Sequence, residues 1–253
     1  MSGVVEVQEV RKRYGQRQPW AVDGVSLSVG EGEAFGLLGP NGAGKTTIVK
    51  MLAGLTKPVE GQVRIFGKDP SDPAARSRLG FSPEEPDFPK FLRADEVLDY
   101  FCRLCGLDTA ERAKRAGEAL SWSGLAGERR QVRQFSKGMK QRLGLAQALV
   151  THPQLLILDE PTSDLDPLGR RSVRDLIVEI KGRGSAVLLN SHQLSEVERV
   201  CDRVAIINKG KLVKEGQVHE LVPEGKTLED VFIQLFEPEQ TAGPGLTATW
   251  GDS

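Results

Sequence analysis

The residues with the clearest capacity for chemistry are Gly39-Pro40-Asn41-Gly42-Ala43-Gly44-Lys45-Thr46-Thr47. Glycines leave backbone N–H groups uncovered, so the chain can curl round a polyphosphate where a Cβ would block the approach. A helix opening near Lys45 points its free N–H groups and positive dipole end at the same anion. Lys45 then reaches toward β and γ phosphates, and the Thr46 hydroxyl is placed to ligate a Mg²⁺ that bridges them. The pattern G-x-x-x-x-G-K-[ST] carries weight only between a strand and a helix. Both flanks are present, as the apolar run Ala34-Phe35-Gly36-Leu37-Leu38 and the helix-like Ile48-Val49-Lys50-Met51-Leu52.

A second stretch, Leu155-Leu156-Ile157-Leu158-Asp159-Glu160, is an apolar strand ending in two acids. Ligands of open α/β sheets bind beyond the carboxyl ends of the strands. Asp159 is therefore the natural Mg²⁺-side carboxylate, acting directly or through water. Glu160 is free to orient and deprotonate an attacking water, a role worth ~10²–10⁴ in rate. A third apolar strand, Ala186-Val187-Leu188-Leu189, ends in Asn190-Ser191-His192. It brings an imidazole to the same edge, where it could hydrogen-bond the γ phosphate or the lytic water. His152 and His219 lack such placement and read as surface residues. Tyr14, in the loop Arg13-Tyr14-Gly15, is either a packed surface ring or a platform for a base.

The elements that must position these groups alternate. Residues 4–10 and 21–29 alternate apolar and polar as half-exposed strands, and Gln62–Phe66 is another strand. A helix follows the glycine loop to about Leu55. Ala74–Leu79 reads as a short helical segment leading to a stiff loop carrying Pro83, Pro86 and Pro89. From Ala94 to Leu149 only helical patterns occur, with a capping look at Leu107-Asp108-Thr109-Ala110-Glu111 and a helix start after Ser136. Strand and helix then alternate through Val204–Ile207, which predicts a largely parallel sheet covered by helices. Glu237–Ser253 is rich in Pro, Gly and Thr and is expected to be disordered.

Composition narrows the function. With 34 basic and 35 acidic residues the net charge is −1, which offers nucleic acid or anionic lipid no overall attraction. No apolar run has the length to cross a membrane. The opening Met1-Ser2-Gly3-Val4-Val5-Glu6 has no charged and apolar leader, so residence in the cytosol is expected. Cys102 and Cys105 form C-x-x-C within an apolar helical pattern, and with no second pair they read as small buried side chains rather than metal or redox ligands.

The order of these motifs resembles the ATP-binding subunits of ABC transporters, from about Val4 to Val222. The distinguishing segment is Phe135-Ser136-Lys137-Gly138-Met139-Lys140-Gln141-Arg142, which is similar to that family's L-S-G-G-Q signature followed by Q-x-R. At a helix N-terminus, Ser136 and the N–H groups around Gly138 form a second anion site. The resemblance implies a P-loop NTPase (RecA-like) α/β fold, with a mostly parallel sheet core, an antiparallel β edge and an inserted α-helical subdomain. It divides the chain into an ATPase domain at 1–222, its helical insertion at about 90–150, and a C-terminal helix and tail at 223–253. It also implies ATP and Mg²⁺ as ligands, Tyr14 as the ring that stacks on adenine, and His192 as the switch histidine. Ser163-Asp164-Leu165-Asp166 matches the loop that links two sites in a head-to-tail dimer.

The pattern is departed from twice. Glu84, in Ser82-Pro83-Glu84-Glu85, stands where the family usually has a glutamine that contacts Mg²⁺, and a carboxylate there can still bind metal. Lys137 and Met139 replace Gly and Gln in the signature, leaving Ser136 and Gly138 to bind phosphate. With Leu228-Glu229-Asp230-Val231-Phe232, these changes resemble the drug- and sodium-exporter branch. The expected partners are a separate transmembrane permease and a second ATP-binding subunit, identical or paralogous, at the cytoplasmic face of the cell membrane, with no nucleic acid. The rival expectation, a soluble clamp on nucleic acid or the ribosome, usually needs two cassettes, a long coiled coil or a basic arm, and the sequence has none of these.

Overall fold

The computed structural model describes residues 3–236, so the expectation for Glu237–Ser253 falls outside the described residues. The first half of the chain runs β1 (Val5–Lys12), β2 (Val22–Val29), β3 (Ala34–Leu38), α1 (Lys45–Leu52), β4 (Glu60–Ile65), α2 (Pro73–Arg76), β5 (Leu79–Ser82), α3 (Ala94–Leu104) and α4 (Thr109–Trp122). The second runs α5 (Lys137–Leu149), β6 (Leu155–Asp159), α6 (Pro167–Gly182), β7 (Ala186–Asn190), α7 (Leu194–Val200), β8 (Arg203–Asn208), β9 (Lys211–Gln217), α8 (Val218–Leu221) and α9 (Leu228–Phe236).

Two sheets result. One is antiparallel, in the order β2-β1-β4, and the other is six-stranded, in the order β5-β6-β7-β3-β8-β9. The second is parallel from β5 through β8, and β9 closes its edge antiparallel to β8. Strands β3, β6 and β7 are buried at every position, which is why they read as continuous apolar runs: helices or the second sheet cover both faces. Successive side chains alternate between faces. Leu37, Ile157 and Leu188 join a core with α1 and the antiparallel sheet, whereas Leu38, Leu158 and Leu189 join one with α6 and α7. Each such Leu or Ile contributes roughly 1.5–3 kcal/mol on burial, so the ends of these strands sit on the most strongly held part of the molecule.

Helices α3, α4 and α5 gather a third cluster around Leu98, Ala119 and Leu143. Helix α4 is capped where the sequence suggested, with Asp108 Oδ1 accepting from the N–H groups of Ala110 and Glu111 at 2.9 and 3.0 Å.

Three expectations are corrected. The helix near Ala74 ends at Arg76, and Leu79–Ser82 is instead the edge strand β5, paired parallel to β6 from Leu79↔Leu155 to Ser82↔Leu158. Strand β9 was not foreseen. It follows the two-residue turn Lys209-Gly210, both at positive φ (47° and 77°), the geometry that suits a hairpin. Cys102 is buried but Cys105, at the open end of α3, is exposed.

Candidate active site

Parallel pairing brings three strand ends to one edge. The register sets Leu37 beside Asn190 and Asp159 beside Asn190, so the glycine loop, the acidic pair and the His192 segment leave the sheet together. They line one cleft of about 490 Å³ whose walls include Gly39–Thr47, Glu84, Glu160, Asn190 and His192.

The loop has the shape its glycines permit. Gly44 is the N-cap of α1 with φ 106°, and a Cβ there would lie 2.3 Å from the carbonyl oxygen of Ala21. Gly42 also has positive φ, 78°, but a Cβ there would meet no atom of the described residues within 4 Å. Lys45 is buried, and its ammonium donates to the carbonyls of Gly39 and Pro40 at 2.7 and 3.2 Å. Burial lowers its pKa, and the nearby carboxylates of Glu160, Asp159 and Glu84 oppose that shift. Thr46 is exposed to the cleft, whereas Thr47 is buried.

Asp159 lies beneath the cleft rather than in its wall, 4% exposed, with its Oδ1 accepting from Asn190 Nδ2. Burial pushes its carboxyl up, the Asn190 hydrogen bond pulls it down, and Glu160 adds to the rise. Glu160 is buried at the cleft floor with φ 49°, a left-handed backbone that costs a non-glycine residue ~1–3 kcal/mol and concentrates at functional sites. Its Oε2 is 2.8 Å from His192 Nδ1 and 3.3 Å from the His192 backbone N–H. The acid and the imidazole are therefore already paired. Glu84 is exposed at the cleft wall, its carboxyl raised first by partial burial and then by Asp159, Glu160 and Glu85.

Among the described residues, no group of three His, Cys, Asp or Glu is placed to hold a metal by itself. A hydroxyl at Thr46 and separate carboxylates at Asp159 and Glu84 fit instead a Mg²⁺ that takes most of its ligands from phosphates and water.

Not every predicted residue enters this cleft. Tyr14 stands outside its wall, 58% exposed, with its OH 3.3 Å from Thr47 Oγ1. Ser136 and Gly138 lie elsewhere, at the start of α5. Ser136 caps that helix, its Oγ accepting from Met139 N–H at 3.2 Å. A Cβ on Gly138 would lie 3.0 Å from the Asp164 carbonyl, so the signature and the Ser163–Asp166 loop are neighbours. Sequence reasoning did not assign Asn190, whose buried amide joins the ends of β6 and β7 and leaves Oδ1 without a partner among the described residues. A polar residue closing an all-apolar strand was the available signal. It also missed Leu194 and Phe232, which line the cleft through tertiary packing.

A parallel sheet, a glycine loop feeding α1, and an acid pair at the adjoining strand edge define a P-loop ATPase cassette. The sequence model of the family described as ABC transporter matches residues 22–163. The Nod factor export ATP-binding protein I of Cupriavidus metallidurans is 38% identical over 243 residues, covering 94% of this chain and 80% of that one. A solved ATP-binding subunit of an ABC transporter superposes with TM-score 0.83 at 31% identity, covering 92% of this chain and all of that one (100%). A dimeric ATP-binding cassette in a post-hydrolysis state with ADP and phosphate superposes with TM-score 0.78 at 26% identity, covering 85% and 98%. The chain belongs to the ABC transporter family, as an ATP-binding and ATP-hydrolysing subunit. Among its described residues no helix is long and apolar enough to cross a membrane.

Proposed function

We propose that the chain hydrolyses Mg-ATP in a closed pair of cassettes and delivers the resulting motion to a separate membrane-spanning chain. One observation carries this: Lys45, Glu160 and His192 converge on a single cleft with Glu160 and His192 already 2.8 Å apart. ATP enters with its phosphates against the N–H groups of the glycine loop, and Lys45 turns from the Gly39 and Pro40 carbonyls to the β and γ oxygens. Tyr14 covers the adenine. Glu160 takes a proton from water as its oxygen bonds to the γ phosphorus, and the bond to the β–γ bridging oxygen breaks to leave ADP and phosphate. His192 holds Glu160 in place and faces the γ phosphoryl group. When bound, Mg²⁺ neutralises charge on the β and γ oxygens, and Thr46, Asp159 and Glu84 would hold it.

Ser136 and Gly138 serve the nucleotide of a second cassette, because they stand apart from the cleft of their own chain. The exposed side chains of Phe91, in the turn before α3, and of Tyr100 and Leu104, on α3, supply an apolar surface for a membrane partner at the cytoplasmic face. Export is supported by the Nod factor relative and by Glu84, Lys137 and Met139. The test is Glu160→Gln: ATP binding persists, turnover falls by ~10²–10⁴ and an ATP-dependent dimer accumulates on gel filtration. Turnover at the wild-type rate would remove Glu160 from the role of base.

A further inference from the structure

Helix α9 is amphipathic at the spacing that builds a packed face: Leu228, Phe232, Leu235 and Phe236 all meet the apolar cluster beneath α7. Leu228 and Val231 are buried, and Phe232 goes further, since it also lines the nucleotide cleft that His192 and Leu194 line. The start of α9 is tied to α7, with Leu228 N–H donating to Glu198 Oε2 at 2.9 Å. Asp230 Oδ2 accepts from Thr227 N–H and Oγ1 at 2.8 Å and closes that turn.

Helix α7 begins two residues after His192 and has only seven residues, so it cannot hold its position by its own hydrogen bonds. It is fixed from outside. Val197 presses on β3 so closely that a Cβ on Gly36 would lie 2.7 Å from it, and Glu196 pairs with Arg174 of α6 at 2.6 Å. No side chain caps its N-terminus, where Gln193 follows His192 directly. At that end the flanking side chain Leu194 shares both the apolar cluster and the cleft wall with Phe232.

We propose that α9 is a working part of the ATPase site, with Phe232 a positioning residue that holds His192-Gln193-Leu194, and with it the His192–Glu160 contact, against the cleft. This deepens the assignment of Glu160 and His192 to hydrolysis and rests on it. Phe232 neither touches a reacting atom nor binds phosphate. Its effect passes through the imidazole, where misplacement of about 1 Å costs up to ~10² in rate.

The experiment compares Phe232→Ala, Phe232→Leu and Glu198→Ala with wild type and with Ile233→Ala, an exposed neighbour on the same helix. Turnover and ATP affinity are measured together with the ¹⁵N shifts of the His192 imidazole in the nucleotide-free protein. Phe232→Ala and Glu198→Ala should each lower kcat about tenfold, leave the ATP Kd within about twofold and displace the His192 ring signals. Phe232→Leu should recover most of the rate, and Ile233→Ala should change neither readout. Unmoved His192 signals with kcat within about twofold of wild type would overturn the proposal, as would ATP affinity falling in step with kcat. If Phe232→Ala does not fold, Glu198→Ala, which opens no core cavity, decides. Absence of turnover in the wild type would refute the hydrolytic assignment, while the imidazole shifts would still judge the positioning claim.

Discussion

Replacing Gly44 and Gly42 by alanine, one at a time, separates what the phosphate loop needs for its own shape from what it keeps clear for a ligand. At Gly44 the backbone sits at φ 106°, and the new Cβ would lie 2.3 Å from the Ala21 carbonyl. The conformation costs ~1–3 kcal/mol, and an overlap with backbone that no rotamer relieves adds ~1–3 more. The middle of those ranges is about 4 kcal/mol, which in a chain of this size lowers Tm by roughly 8–16 °C. At Gly42 the φ of 78° is also unfavourable, but no heavy atom of the described residues lies within 4 Å of the new Cβ. Only the conformational cost remains, ~1–2 kcal/mol, or roughly 2–8 °C. Gly42 nevertheless lines the cleft in which the phosphates are proposed to bind, so the new methyl takes room from them. Thermal melting without nucleotide should therefore rank Gly44→Ala well below Gly42→Ala, while titration calorimetry shows both losing at least about tenfold in ATP affinity, ~1.4 kcal/mol. Equal melting of the two variants, or wild-type ATP binding by Gly42→Ala, would refute the account of the loop.

Tyr14→Ala should weaken ATP binding by ~1–3 kcal/mol and Tyr14→Phe by much less, read with a fluorescent nucleotide, since the proposed stacking uses the ring and not the hydroxyl. Glu84 titrates above the ordinary 4.5 because burial and three neighbouring carboxylates oppose its charge. A raised carboxyl contributes stability that is present below its unfolded pKa and lost as pH rises through the folded one. Glu84→Gln should accordingly raise the Tm of the nucleotide-free protein at neutral pH, with the gain fading as pH falls through the raised folded pKa toward 4.5. A gain that grows on acidification would contradict the sign of that coupling. A thiol reagent should modify Cys105 before Cys102 or Cys201, because it alone among the three is exposed, as peptide mass mapping would show.

Much of this was legible because burial on both faces leaves a plain mark. Runs such as Leu155–Leu158 and Ala186–Leu189 have no polar side to display, and the groups at their ends declare themselves by contrast. The edge strands were harder. Gly80-Phe81-Ser82-Pro83 looked like a loop because proline and glycine outweighed a short pairing edge that only β6 supplies. Strand β9 is charged and mostly half-exposed, so no alternation betrayed it, and the Lys209-Gly210 turn was the one local hint. That Lys45, Glu160 and His192 meet at one cleft was readable from motif and strand end. The places of Asn190 and Phe232 were not, since both depend on which elements lie side by side: Asn190 across the β6–β7 register, and Phe232 through a helix about forty residues further along the chain.

The pairing of Asp159 with Asn190 across adjacent parallel strands has an evolutionary corollary. A residue gained or lost inside either strand would swap every inward side chain for its outward neighbour and carry the acid or the amide to the wrong face. Length variation among descendants is thus confined to connections and surface helices. Inside these two strands, inheritance is measured in single peptide steps, with no tolerance for a miscount.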